Sequence, residues 1–561
     1  VTRHILWQAV LALLGIALIF LFLFRFGSSL MTVEVPAAGG TYVEGVLGYS
    51  EAINPILAPL VVQANPVDQD LGALVFDGLT TLDETGLVSP SLAIDWETSD
   101  DGTVYEFNLR QGVTWHDGAP FTAADVTFTV QAMQDPSYQG DPALRELWRS
   151  VTVEALDDYV VRFTLTEPFP SFLYYTTVGL VPAHLLSNVP AADLAEHSFS
   201  TQQPVGTGMF QVDSISPSRV VLLANPDYWG PEPYLERIEF QFFADWDGLL
   251  ASYQRGEIHG FHVDRPQRVS LLARMPDLQI YSAQSAGYGL IYLNLQRDNL
   301  SFFQETEVRQ ALLYSLDRQA LIDEALEGQG LVAHSPILPT SWAYDPAIRR
   351  YLYDPERAIG LLDASGWLDS DGDRIRDKDD VELTFSLLTT DDPSMIQMAE
   401  EIARYWQAVG METSIRAVDG EALAGAVRDR SFDAVLTEIG LVADPDPYPL
   451  WHSTQAGETG QNYSGFSNEE ADVVMEEGRL TVDLERRIQL YGAFQQIFAD
   501  EVPSLLVYYP IYTYAVDAQV RQVQLSPMLH TSDRFRNIHE WYLETTEITV
   551  SEKEELDKRT E

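Results

Sequence analysis

The sequence predicts a mixed α/β fold, and three observations carry that expectation. Val104–Leu109 and Val160–Leu165 alternate apolar and polar side chains with the period of two that buries one face of a strand. Val381–Thr389, a helix opened by Asp392-Pro393 and running to Ala408, and Met411–Val418 read as a β-α-β unit, which implies a parallel pair. The hydrophobic fraction of 46% is that of a globular chain, even though 34 Lys+Arg against 84 Asp+Glu leave 561 residues with a formal charge of −50.

Taken in order, the chain opens on Ile5–Phe24, which contains no ionisable residue. Its length matches the ~20 residues of a spanning helix and exceeds the ~7–15 of a signal-peptide core. Residues 1–27 are therefore expected to form a transmembrane anchor, the alternative being a signal segment cleaved near Val35-Pro36-Ala37-Ala38-Gly39. Residues 28–40 read as a small-residue linker. The helix Ala123–Met133 follows Thr122, a suitable N-cap. Gly287–Leu295 is extended and places Tyr288, Leu290, Tyr292 and Asn294 on one face. Val308–Leu326 sets Val308, Ala311, Leu312, Leu316, Ile322 and Leu326 near one helical face. After the β-α-β unit, Phe432–Ile439 predicts another strand and Arg486–Phe498 an amphipathic helix. Residues 547–561 are a charged tail, expected to fray. No internal repeat is visible.

The composition excludes several functions. A polyanion neutralises a phosphate backbone poorly, which argues against nucleic acid as partner. The absence of cysteine removes disulfides, thiolate metal sites, thiol nucleophiles and a cysteine-linked lipid anchor together. The sequence carries no His-Glu-x-x-His, Gly-x-Ser-x-Gly or Walker A pattern, so no enzyme is expected.

Five groups of residues remain as candidates. His259 and His262 form a His-x-x-His pair, a weak metal signal. In the run Asp369 to Asp377, alternate carboxylates at Asp369, Asp371, Asp373 and Asp377, the carbonyl of Ile375 and the later Asp380 have the spacing of a Ca²⁺ loop. Arg374 replaces the usual glycine there, Asp380 is shorter than the usual bidentate Glu, and a solvated turn fits the same residues. The proline-stiffened run Asp444-Pro445-Asp446-Pro447-Tyr448-Pro449-Leu450-Trp451 follows a predicted strand. It can hold carboxylates and rings in fixed positions for an ammonium group, or serve as a rigid turn. Tyr288, Leu290 and Tyr292 either line a cleft or bury a strand. Trp342 and Tyr344 either wall a cleft or pack a loop.

A series of motifs then gives a resemblance. Leu74-Val75-Phe76-Asp77-Gly78-Leu79, Val113-Thr114-Trp115-His116-Asp117-Gly118, Gly206-Thr207-Gly208-Met209-Phe210, Asn225-Pro226-Asp227-Tyr228-Trp229 and Val308-Arg309-Gln310-Ala311-Leu312 with Asp317-Arg318 stand in one order along the chain. They resemble the family 5 extracellular solute-binding proteins of ABC importers, the dipeptide, oligopeptide and nickel binders, from about Val43 to Trp541. The resemblance implies a two-lobed periplasmic-binding-protein-like fold. Residues 41–85, 200–295 and 505–546 would form the first lobe, 86–199 an extra subdomain of it, and 296–504 the second lobe, with hinges near 290 and 504. The ligand would lie between the lobes. Asp444, or alternatively Asp446, would hold a ligand ammonium, and the stretch around Tyr292 would line the ligand backbone. Glu438 stands where some oligopeptide binders carry a basic residue, which tilts the expectation towards cationic ligands. Trp342 and Trp451 complete the candidate site.

The function that follows is an extracytoplasmic, membrane-anchored and monomeric receptor. It would deliver peptides to an ABC permease and its ATPases without catalysis, and hold no cofactor beyond a structural Ca²⁺. The alternatives are a sensory ectodomain for a signalling partner, or a binder of a nickel chelate or an oligosaccharide.

Overall fold

The computed structural model describes residues 7, 13–20, 32–62, 64–83, 85–442 and 444–553. Most of Ile5–Phe24 lies outside them. Within it residues 13–20 are helical and keep Leu13, Leu14, Ile16, Leu18, Ile19 and Phe20 exposed. Among the described residues no helix is long and apolar enough to cross a membrane.

The strands foreseen from alternation form where the pattern places them. Val104–Leu109 buries Tyr105, Phe107 and Leu109 on one face. It pairs with Ala93–Thr98 and with Val160–Leu165, and Val151–Asp157 completes a four-stranded antiparallel sheet. The helix Ala123–Gln134 lies against this sheet, with the Thr122 backbone N–H bonded to Asp125 Oδ2 at 2.9 Å. The β-α-β unit forms from strand Thr384–Thr390, helix Pro393–Ala408 and strand Glu412–Val418, and the two strands are parallel.

A long sheet, twelve strands among the described residues, runs through the whole body. Its second-lobe end is Glu412–Val418, Thr384–Thr390 and Ala434–Gly440. Its first-lobe end is Gly260–His262, Thr41–Leu47, Arg237–Phe243, Arg219–Ala224 and Phe210–Ser216. Gly287–Leu293 and the long strand Ser504–Asp517 join the two ends. Ser504–Asp517 pairs with Gly287–Leu293 through its first residues and with Leu278–Gln284 through its last. The crossings therefore fall at Ser285–Ala286 and at Tyr509–Pro510, where Ser285 N donates to Pro510 O at 2.9 Å. The hydrophobic cores divide the same way. One draws on Tyr42 to Phe240 and Tyr512 to Trp541, and two others on Ala286 to Tyr509.

Three expectations need correction. Val308–Leu326 is two helices, Thr306–Tyr314 and Arg318–Ala325, because Asp317 caps the second through Ala320 N at 3.1 Å. The apolar positions were read correctly, but a capping aspartate breaks the helix they share. The linker and tail are also partly ordered. Thr32–Ala37 pairs antiparallel with Glu544–Thr549 in a two-stranded ribbon, which their β-branched residues favour. The tail beyond residue 553 lies outside the described residues.

The motifs that carry the resemblance act mainly as scaffold. Arg309, buried, gives its guanidinium to the carbonyls of Glu501 (2.9 Å), Val502 (3.1 Å) and Phe303 (2.8 Å). The Glu501 and Val502 carbonyls are orphan acceptors at the end of helix Leu484–Glu501, just before the crossing strand. Arg318 does the same for Leu506 O at 2.8 Å and Tyr351 O. Asp77 accepts from Thr207 Oγ1 at 2.9 Å and Trp229 Nε1 at 3.0 Å, tying three of the motifs together.

Candidate functional site

Between the lobes lies a cleft with two chambers that meet at Ser285. The smaller, about 130 Å³, is bounded by Thr85 and Gly86, by Pro527–Leu529, by Pro336–Leu338 and by the loop after strand Ala434–Gly440. The larger, about 530 Å³, lies between the end of strand Gly260–His262 and the start of helix Pro393–Ala408. Both therefore sit at strand ends, where loops are free to present side chains.

The proline-rich run lies in the smaller chamber. Asp444 is buried, and its two carboxylate oxygens accept from Arg487 Nη2 at 3.2 and 3.3 Å. The Asp446 backbone N–H also donates to Asp444 Oδ1 at 3.0 Å. Asp446 pairs with Arg479 at 2.9 Å. Burial pushes its carboxyl up to about 6, against the opposing pull of Arg479. Arg487 lies 5.0 Å from the Trp342 ring centre and 3.2 Å from the Tyr491 hydroxyl. Burial alone would lower its pKa, but Asp444 and Tyr491 outweigh burial and keep it charged. Each carboxylate on the chamber lining is thus paired with a guanidinium from outside that lining.

Trp342 reaches this site. Its Nε1–H donates to the Tyr174 hydroxyl at 3.2 Å, linking the second lobe to the extra subdomain. Trp451 is buried beneath the chamber, edge-on to Phe498 at 4.7 Å between centroids. Glu438 belongs to the larger chamber, where the Tyr508 hydroxyl donates to it at 3.0 Å. Desolvation by the chamber walls raises the Glu438 carboxyl above its usual range, against that hydrogen bond.

Tyr288, Leu290 and Tyr292 do not line the cleft. They are 0%, 0% and 1% exposed and fill a core of the second lobe. Their strand lies in mid-sheet with both faces covered, and Ile291 and Leu293 fill the core on its other side. Tyr344 packs beside Ile337, Ala343 and Tyr491.

The Asp-rich turn gathers three of its six expected ligands. Carboxylate oxygens of Asp369, Asp371 and Asp373 lie within 4.8 Å of one another. Asp377 turns instead to Ser370, accepting from its N at 2.9 Å and its Oγ at 2.7 Å. Asp380 sits outside the cluster at φ +66°, and Ile375 engages it only through its N–H to Asp373. Arg374 takes φ +78°, the left-handed turn that glycine ordinarily provides. His259 and His262 do not share a ligand. His259 Nδ1 accepts from Val43 N, while His262 stacks on Tyr512 at 4.5 Å. Burial, with Arg534 adding to it, lowers His262 to about 4, so it is neutral at pH 7.

Sequence reasoning missed Arg487 and Arg479. The signal for Arg487 was present: with Leu490, Tyr491, Phe494 and Phe498 it falls on the apolar face of helix Leu484–Glu501, and a cation there needs a buried partner.

The sequence profile of the bacterial extracellular solute-binding proteins, family 5 (middle region), matches residues 88–461. The oligopeptide-binding protein AppA of Bacillus subtilis is 29% identical over 517 residues, 91% of this chain and 92% of that protein. The structure of AppA from Bacillus subtilis in complex with a nonapeptide superposes with a TM-score of 0.69 at 28% identity, over 91% of this chain and 100% of that one. NikZ from Campylobacter jejuni in complex with Ni(L-His) gives 0.70 at 26% identity, over 90% and 99%.

Proposed function

The chain belongs to the bacterial extracellular solute-binding proteins of family 5, and we propose that it is the peptide receptor of an ABC importer, taking peptides with a free amino terminus into the interlobe cleft. The observation that carries this reading is the placement of Asp444 and Asp446 on a rigid strand-end loop facing a two-chambered cleft, in a fold shared with a nonapeptide complex. Asp444 accepts from Arg487 through one nitrogen only, so its carboxylate keeps lone pairs for a ligand ammonium. The larger chamber has the volume for following residues, and Glu438 there favours a cationic group along the ligand. Closure about the two crossings encloses the ligand, and the permease recognises the closed form. The receptor is non-catalytic and hands its ligand on intact.

The exposed apolar side chains of residues 13–20 support an N-terminal membrane anchor holding the body outside the cytoplasm. Fractionation tests it: the full chain stays with membranes and a chain lacking residues 1–27 does not.

The receptor reading is tested by mass spectrometry of ligand released from the purified full chain. Intact peptides are the expected result. A metal chelate is the second reading, favoured by neutral His262 beside the larger chamber and by the nickel–histidine complex of NikZ. Metal recovered with an amino acid and no peptide decides for it.

A further inference from the structure

The smaller chamber is mainly apolar; beside Asp444 and Asp446 its polar lining is neutral, with Gln284, Ser285 and Gln461 among it. Ile337, Leu338, Leu441, Leu450, Trp451 and Met528 form its walls. Its 130 Å³ is close to the about 150 Å³ cavity that admits a benzene ring. The carboxylates that open onto it do not present a net charge, because Arg487 and Arg479 answer them one for one. With the ligand's own ammonium on Asp444, a lysine or arginine side chain entering here would be desolvated and find no further anion to answer it, whereas an aromatic or branched aliphatic side chain would bury apolar surface.

We propose that the smaller chamber is a specificity pocket for a large apolar side chain on the ligand's amino-terminal residue, and that Arg487 makes it one by balancing Asp444, so that the pair takes the ligand ammonium and leaves no charge for a second cation. This rests on the peptide-receptor reading and goes beyond it by naming the side-chain class. Arg487 is the specificity-determining residue. It is fixed by Gly478 O at 3.2 Å and by the ring of Trp342, so it does not swing away to leave Asp444 bare. Selection for charge is left to Glu438 in the larger chamber.

The test is isothermal titration of the purified full chain in detergent with the tetrapeptides Phe-Ala-Ala-Ala, Leu-Ala-Ala-Ala and Lys-Ala-Ala-Ala. The parent binds the Phe and Leu peptides about tenfold or more tightly than the Lys peptide, the discrimination that an apolar pocket gives. Arg487→Gln bares the Asp444 charge and moves the preference towards the Lys peptide. The double variant Asp444→Asn with Arg487→Gln restores neutrality without a buried lone charge and keeps the parental order. Val442→Trp, which fills the chamber from its exposed rim, weakens the Phe peptide about tenfold with unchanged melting. If the parent binds the Lys peptide as tightly as the Phe peptide, or if Val442→Trp leaves the order untouched, the proposal is wrong. If no peptide binds to a chain that melts cooperatively, the peptide-receptor reading falls and this inference with it.

Discussion

At Asp444 one carboxylate serves the fold and, on the proposed reading, the ligand. Its partner Arg487 is buried, so removing the carboxylate leaves an uncompensated cation in the protein interior. Asp444→Ala is therefore expected to lower the melting temperature and to cost about tenfold or more in peptide affinity by titration. Affinity equal to the parent's would remove Asp444 as the ammonium anchor. Asp446 gives a pH signature. Its folded pKa of about 6 lies above its ordinary 3.8, so between those values the native state binds the extra proton. Stability from this group is then greatest below about pH 4 and is lost as pH rises through about 6. Asp446→Asn removes that slope in melting curves taken from pH 4 to 7. Binding runs the other way. Below pH 6 the protonated Asp446 leaves Arg479 unanswered, the chamber turns positive, and affinity for a ligand ammonium falls. A flat affinity profile across pH 6 contradicts this. Arg487 left a signal on its helix face, but which aspartates the arginines answer was hidden, because Arg479 and Arg487 lie 33 and 43 residues beyond them. Only folding of two helices against the loop reveals the pairing.

Elements with a local cause were legible. Thr122 marks a helix start, and the alternation in Val104–Leu109 marks a half-buried strand, because both signals are written within a few residues. Tyr288, Leu290 and Tyr292 were misplaced because one strand cannot tell whether its second face meets water or another layer. The same strand shows close backbone packing. A Cβ at Gly289 would run into the Tyr508 ring, at the bulge where the crossing strands meet. Gly289→Val is expected to destabilise by about 1–3 kcal/mol, read as a lowered denaturation midpoint. An unchanged midpoint would mean that this approach can relax. In the Asp-rich turn, three exposed carboxylates repel one another, and Ca²⁺ relieves that repulsion. Melting is expected to rise on the order of 1 °C with millimolar Ca²⁺ over EDTA, and not in Asp371→Asn. Equal melting in both conditions removes the metal from the account.

The whole molecule is two bodies joined by two strands, with the cleft in between. The Trp342–Tyr174 hydrogen bond and the Arg487 contact with Ser171 Oγ at 3.5 Å span from the second lobe to the extra subdomain. On the proposed reading they hold the enclosed arrangement, and Trp342→Ala is expected to shift the population towards an open form and weaken ligand by the fraction lost. Small-angle scattering of the unliganded variant is expected to show a larger radius of gyration, and an unchanged radius would show that these contacts do not bias closure. The two-lobed plan was legible only through the ordered motifs, since no local pattern states which distant strands share a sheet. The charge of −50 has a narrower role at this scale, because the acids at the cleft are matched or enclosed and the excess lies on the outside.

The central claim is that one peptide is captured through its amino end between the lobes. Native mass spectrometry of the purified full chain with Phe-Ala-Ala-Ala and its N-acetylated form tests it most directly. A single adduct of peptide mass that is lost on acetylation is the predicted result. Equal binding of the acetylated peptide, or no peptide adduct on a folded chain, would contradict it.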